Sequence, residues 1–215
     1  TMPIPIEQVA AFAEGPFQGN PAAVCPLQSW LPDPIMQAIA AENNLSETAF
    51  YVGREGRYAL RWFTPRCEVD LCGHATLAAG HVVFLHEPHL DEVEFRSNSG
   101  PLIVRRQGDQ LILNFPVQPV CSCLAPGGVD EILGTTAEAC FLGVDLMVVV
   151  ADQHEVEALA PDYAAVAELP GRGLIVTAPG TDVDFVSRFF APSCGIAEDP
   201  VTGSAHCSLT PYWAE

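Results

Sequence analysis

Glu47, His74, Asp199 and Ser204 are the side chains whose settings could support chemistry. Glu47 lies in Ser46-Glu47-Thr48, at the mouth of an apolar, aromatic run. A carboxylate partly withdrawn from water there would have a raised pKa and could pass a proton as a general acid/base. A solvated glutamate at a strand start fits the same local pattern. His74 follows Gly73 at the head of GHATLAAGHVVFL, a helix apolar on nearly every side. The helix dipole disfavours an imidazolium at that end, so the ring is expected to be neutral near pH 7 and to make hydrogen bonds. It serves either a ligand or the core. Asp199 stands just before Gly203 and could meet a ligand or simply cap the helix that follows. Ser204 could bond a substrate oxygen or its own helix turn.

Three of these residues belong to an internal repeat. RWFTP at 61–65 recurs as RFFAP at 188–192, and Gly73-His74-Ala75 recurs as Gly203-Ser204-Ala205. Each copy places a cysteine two residues after the proline (Cys67, Cys194) and an acid in the loop before the glycine (Asp70, Asp199). Each then runs into a helical segment carrying Leu77 or Leu209. The repeat implies two half-domains, each with an aromatic strand, an irregular loop and a helix that begins at glycine. A helix start exposes unpaired N–H groups and about half a positive charge, and glycine lets a ligand approach it. Two such starts would make an anion site that needs no basic side chain. Glycines that only allow close helix–sheet packing are the other reading.

That alternative to basic residues matters, because the chain has 27 Asp plus Glu against nine cations, a formal charge of −18. All nine cations are arginine. Without lysine, Schiff-base chemistry and a G-x-x-x-x-G-K-[ST] phosphate loop are both excluded. The acidic balance, with only Arg105-Arg106 adjacent, argues against nucleic acid as a partner. Apolar residues make up 49% of the chain, enough to build a core. No apolar stretch reaches the ~20 residues that span a bilayer, since Leu142 to Ala151 is short and interrupted by Asp145. TMPIPIEQVAAF has no basic residue before Arg54, so no targeting peptide is expected, and a cytoplasmic location with eight reduced cysteines follows. Cys121-x-Cys123 is the only close cysteine pair, and His81, His86 and His89 are spaced five and three apart. No metal site is expected from either.

Local patterns supply the elements. Asp33-Pro34 followed by IMQAIAAEN reads as a helix with Asp33 as N-cap, Pro34 in its first turn and Ile35 and Ile39 on one face. Strands are expected at 48–52, 58–63, 93–96, 101–106 and 110–115, the last two joined by a turn at Gln107-Gly108-Asp109. Residues 116–128 (PVQPVCSCLAPGG) read as a linker. Beyond it come strands at 146–150, 174–178 and 184–190, with short helices near 153–159 and 162–168. Asp152, His154 and Glu155 read as a solvated helix start. The class is α+β, with an N-terminal half-domain at 1–115 and a C-terminal half-domain at 116–215.

GNPAAV at 19–24, SETAF at 46–50, LRWFTP with EVDLCGHATLA at 60–78, and SRFFAP with EDPVTGSAH at 187–206 resemble the phenazine-biosynthesis PhzF-like family along nearly the whole chain. The resemblance implies a diaminopimelate-epimerase-like fold: two pseudo-symmetric halves, each a curved, mostly antiparallel sheet around a central helix. It also implies a cofactor-independent and metal-independent isomerase, a homodimer, with its active site between the halves. On the matching positions, Glu47 is the acid/base and His74, Asp199 and Ser204 support it. Asn20, Gly73, His74, Thr202, Gly203 and Ser204 would surround a small anionic metabolite, with specificity in the loop around 17–22. A competing class is a thiol racemase, which needs two opposed bases. Cys72 fills the first place, but Val201 stands where the second thiol is expected. A non-catalytic anion-binding protein is the third reading. The repeat leaves the second half short by about thirty residues of sheet after Ser204 to Glu215, so a fragment is expected.

Overall fold

The computed structural model describes residues 3–13, 15 and 17–214. Thr1-Met2 of the segment read for targeting signals, and Glu215, fall outside them. The chain divides into two compact units, Thr1–Phe115 and Pro116–Glu215.

The first unit runs β1 (Glu7–Ala11), β2 (Asn20–Leu27), α1 (Asp33–Asn43), β3 (Glu47–Arg54), β4 (Arg57–Phe63), β5 (Glu68–Val69), α2 (Gly73–His86), β6 (Glu92–Ser97), β7 (Gly100–Gln107) and β8 (Gln110–Asn114). Its sheet has the order β1-β2-β3-β4-β6-β7-β8, with β5 paired to β4. Only β2/β3 and β4/β6 are parallel. The β3–β4 hairpin turns through Glu55 (φ 56°) and Gly56 (φ 76°), both left-handed as a tight primed turn requires.

Helix α2 explains the curvature. It packs against β1 and β2 at one end of the strand order and against β7 and β8 at the other. In a flat sheet, strands spaced about 4.8 Å apart would set β1 and β8 roughly 30 Å from each other. A helix about 10–12 Å wide cannot reach both, so the sheet curls around it. Ten of its fourteen residues are buried, as its apolar composition demands. His81, Leu85 and His86 are exposed. Over the Leu77–His81 side lies an open groove of about 760 Å³, flanked by Val9 to Ala13 beside β1 and by Asp109 to Leu111 beside β8. On the sheet's other face, α1 buries Met36 and Ala40 against Cys25, Phe50 and Phe63.

One expectation for α1 is corrected. Pro32 is the N-cap and Asp33 the first helical residue, its carboxylate 2.8 Å from Arg61 Nη1. The buried face is Met36/Ala40; Ile35 is 48% exposed, and Ile39 packs only partly.

The second unit runs β9 (Cys121–Cys123), α3 (Val129–Leu133), β10 (Ala139–Leu142), β11 (Leu146–Val149), α4 (Gln153–Ala158), α5 (Tyr163–Val166), β12 (Leu174–Pro179), β13 (Phe185–Ala191), a 3-10 turn (Pro192–Cys194), β14 (Ile196–Asp199) and α6 (Gly203–Trp213). The sheet order is β14-β13-β12-β11-β10-β9, parallel only at β11/β12. Strand period two separates its faces. Met147, Ile175, Phe189 and Ala191 meet Ala205 and Leu209 of α6. Leu146, Val148, Leu174 and Val176 meet the residues of α3, α4 and α5. Burial on both faces accounts for the unbroken apolar runs of β11 and β12.

Residues 116–128 are not a simple linker. Cys121–Cys123 pairs with β10, and Gln118 is fastened to α6. Pro211 inside α6 has no N–H to give the Cys207 carbonyl, and the Gln118 N–H takes that acceptor at 2.9 Å.

The repeat is realised as a side-chain clamp. Arg61 of β4 grips Glu68 through Nε and Nη2 at 2.6 and 2.7 Å, and Arg188 of β13 grips Glu198 through the same atoms at 2.7 and 2.8 Å. The matching acids are therefore Glu68 and Glu198. The pairing of Asp70 with Asp199 is corrected: counted back from each glycine, Asp199 takes the place of Val69.

Candidate active site

In the first unit, the ends of three elements converge. Asn20 opens β2, Glu47 opens β3 in register with Ala22, and Cys72 is the N-cap of α2, whose first residues are Gly73 and His74. All four polar side chains are withdrawn from water: Asn20 is 0% exposed, Glu47 8%, Cys72 4% and His74 2%. Gly19 makes the approach to Asn20 possible. Its φ is +77°, and a side chain there would collide with the Ala11 carbonyl.

His74 organises the cluster. Its Nδ1 lies 3.3 Å from Asn20 Nδ2 and 3.5 Å from Cys72 Sγ, and its Nε2 lies 3.4 Å from Glu47 Oε2. An amide nitrogen only donates, so Nδ1 accepts and the neutral ring carries its hydrogen on Nε2, facing the carboxylate. Burial pushes the His74 pKa down to about 4, so the ring is neutral at physiological pH. At 3.4 Å the Nε2 contact is longer than a well-formed N–H···O bond and acts mainly as an electrostatic one. Ligand-type atoms of Glu47, Cys72 and His74 all lie within 4.8 Å of one another, the one such group among the described residues. This set could hold a metal ion. The Cys72 and Glu47 contacts fall on different ring nitrogens of His74.

In the second unit, the polar residues gather at the start of α6. Thr202, the N-cap, donates from Oγ1 to Asp199 Oδ2 at 2.6 Å, so Asp199 holds the cap residue. Gly203 and Ser204 are the first two helical residues. Phe185, Phe189, Asp199, Thr202 and His206 line a cavity of about 220 Å³.

Ser204 has a partner that sequence reasoning did not find. Arg172 Nη2 donates to Ser204 Oγ at 3.1 Å, while Nε and Nη2 grip Asp145 at 3.0 and 2.7 Å. Asp145 is 3% exposed, and the guanidinium lies 5.5 Å from the centroid of the Phe189 ring. The signal was a lone acid interrupting an apolar run, with a lone arginine before the next apolar strand. Arg172 donates into the Ser204 oxygen, which leaves the hydroxyl hydrogen to point at another acceptor.

Each half thus wraps or covers one central helix with a curved sheet, and each sets polar residues at that helix's N-terminus. This is the isomerase fold class typified by diaminopimelate epimerase. The pattern of the family described as "Phenazine biosynthesis-like protein" matches residues 9–215, and the chain belongs to that family. A Pseudomonas aeruginosa protein named an uncharacterized isomerase is 55% identical over 218 residues, covering 100% of this chain and 83% of its own length. The crystal structure of a phenazine biosynthesis protein of the PhzF family from Enterococcus faecalis is 48% identical, with a TM-score of 0.89, covering 99% of this chain and 83% of that one. A hydroxyproline epimerase from Agrobacterium vitis is 9% identical with a TM-score of 0.57, covering 92% of this chain and 72% of that one, a likeness of fold alone. The chain is thus a member of an isomerase family. Among the described residues, no helix is long and apolar enough to cross a membrane.

Proposed function

We propose that this protein is a cofactor-independent isomerase that shifts a proton on a small, carboxylate-bearing metabolite, with Glu47 as the general acid/base. The observation that carries this reading is a buried carboxylate 3.4 Å from a buried neutral imidazole, at the start of a buried helix. The ionised Glu47 takes a proton from a carbon next to an unsaturated or carbonyl system, and the electron pair moves into that system. The same carboxyl group then returns the proton to a different carbon. His74 Nε2–H orients the carboxylate and, with the N–H groups of Gly73 and His74, favours the developing negative charge.

The second half carries binding groups of its own at the start of α6. The N–H groups of Gly203 and Ser204 suit a carboxylate, and the Asp145-held Arg172 guanidinium lies beside them on the Ser204 hydroxyl. Thr202 and Ser204 supply hydroxyls, Asp199 fixes Thr202, and in the first half Asn20 fixes His74. The family resemblance supports a homodimer, and the acidic balance makes nucleic acid a poor partner.

Small unsaturated or cyclic carboxylic acids incubated with the protein in D2O, followed by NMR, test this reading. Deuterium is expected to enter a bound acid, and Glu47→Gln is expected to slow that entry by at least about 100-fold. Absence of exchange in every acid that demonstrably binds would remove the isomerase reading. Exchange dependent on Glu47 would remove a purely binding role. A thiol-assisted mechanism has one observation in its favour, the 3.5 Å contact of Cys72 Sγ with His74 Nδ1. Rapid inactivation by iodoacetamide that tracks alkylation of Cys72 would favour it; unchanged exchange after alkylation would favour Glu47.

A further inference from the structure

The active-site reading leaves the cysteines of the second half unused, and two of them are set directly opposite each other. In the β9–β10 ladder, Cys123 is the register partner of Cys140. Directly opposed residues of antiparallel strands have Cα atoms about 4.5–5.5 Å apart, inside the 4.4–6.8 Å range that disulfides span. Both side chains lie on one face: Cys140 belongs to the core cluster with Leu146, Val148 and Leu174, and Cys123 packs against that cluster. Cys121, two residues earlier, sits opposite Leu142, two register positions along the ladder.

We propose that Cys123 and Cys140 form a reversible redox pair, closing into a cross-strand disulfide under a peroxide-class oxidant. Neither cysteine has a part in the proposed isomerase chemistry. Cys123 is half-buried at the edge strand, whereas Cys140 is 5% exposed, so Cys123 is the thiol an oxidant meets first. Burial, the Cys123 thiol and the Asp130 carboxylate all hold the Cys140 thiol above its ordinary pKa, which fits the same order. Cys123 thiolate attacks the peroxide O–O bond, giving a sulfenic acid and one water. Cys140 sulfur then attacks the sulfenic sulfur, the S–O bond breaks, and the oxygen leaves as a second water. Two thiols and one peroxide become one disulfide and two waters, and thiol reductants reverse the change.

The structural effect falls on β9. This three-residue strand ends the sheet of the second unit and, among the described residues, pairs with β10 alone. A covalent tie across the ladder fixes its register and closes the loop that contains α3.

The test uses the whole protein, treated with stoichiometric hydrogen peroxide and then blocked with iodoacetamide under denaturing conditions. The thiol titre is expected to fall by two from eight and to recover with dithiothreitol. Trypsin cuts only at arginine here, and no arginine lies between 107 and 171, so a glutamyl endopeptidase cutting after Glu131 and Glu138 is used instead. It should release a cross-linked pair of peptides, one bearing Cys123 and the other Cys140. Cys123→Ser, and separately Cys140→Ala, should abolish the cross-link, and Cys121→Ser should leave it intact. Oxidised wild type should melt at a higher temperature than reduced wild type, with no such difference in Cys123→Ser. A cross-link that persists in Cys123→Ser, a titre that does not fall, or sulfinic acid at Cys123 without a cross-link would each overturn the proposal.

Discussion

His74 is a buried base held neutral, and that has a measurable cost in acid. Its folded-state pKa of about 4 lies below the ordinary value of 6.5 because burial disfavours the charged ring. Between those values the unfolded chain binds the proton and the folded one does not, so stability is full above about 6.5 and falls as pH drops towards 4. Asn20, Cys72 and Glu47 face the ring, and Glu47 is the one group there that could offset the loss. Urea midpoints between these pH values should show a decline of order 3 kcal/mol for wild type, and His74→Gln should flatten it. Asp145 makes a second prediction at this scale. Arg172→Met leaves a carboxylate of 3% exposure without its bidentate partner, and denaturation should read a loss of roughly 3–5 kcal/mol. Combining it with Asp145→Leu should recover much of that. Glu47 and His74 were legible because each stands at a break between an irregular loop and an apolar run. The Arg172–Asp145 pair was not, because it forms only when β11 and β12 lie side by side, with Leu146 in register with Leu174. Neither residue's own surroundings carry that neighbour relation.

Elements were read most reliably where pattern and burial agree. The alternating and continuous apolar runs placed the strands from Glu47 to Asn114 and from Leu146 to Ala191 within a few residues. The buried face of α1 could not be read from the sequence because its apolar residues are spread around the cylinder, and the choice of face was made by Phe50 and Phe63 of the sheet beneath it. The 116–128 segment was misread because its proline and glycine content hides a three-residue strand that exists only by pairing with β10. Packing at Gly80 could not be read either. A methyl group there would lie 2.9 Å from Val104 Cγ1, so the helix touches β7 through bare backbone. Gly80→Ala gains about 1 kcal/mol in helix propensity but incurs an overpacking cost of about 1–3 kcal/mol. Thermal melts should therefore show it destabilised or near neutral, never stabilised by the full propensity gain. In a Val104→Ala background, which removes the obstructing methyls, the same substitution should become favourable.

For the whole molecule, the duplicated plan was visible from the recurrence of RWFTP and the glycine motif. The curl was legible only through the family resemblance and not in the repeat itself, since it depends on one helix being touched by strands from both ends of a sheet. The balance of charge acts at this scale too. With −18 formal charge, self-repulsion opposes the compact state, and salt screens it over a Debye length of about 10 Å at 0.1 M. Raising sodium chloride from about 0.01 to 0.15 M should increase the melting temperature, and a fall would show that the arginine clamps outweigh the surplus acid. The groove between β1 and β8 has a further consequence. A sheet closed on itself would have to break a ladder before any strand could leave, whereas this one already ends in two free margins. Opening can proceed from them like a zip, one strand at a time, with α2 uncovered last. Amide exchange in the first unit should therefore form a gradient, fastest in β1 and β8 and slowest in β3 and β4, so that the groove sets the order in which the fold comes apart.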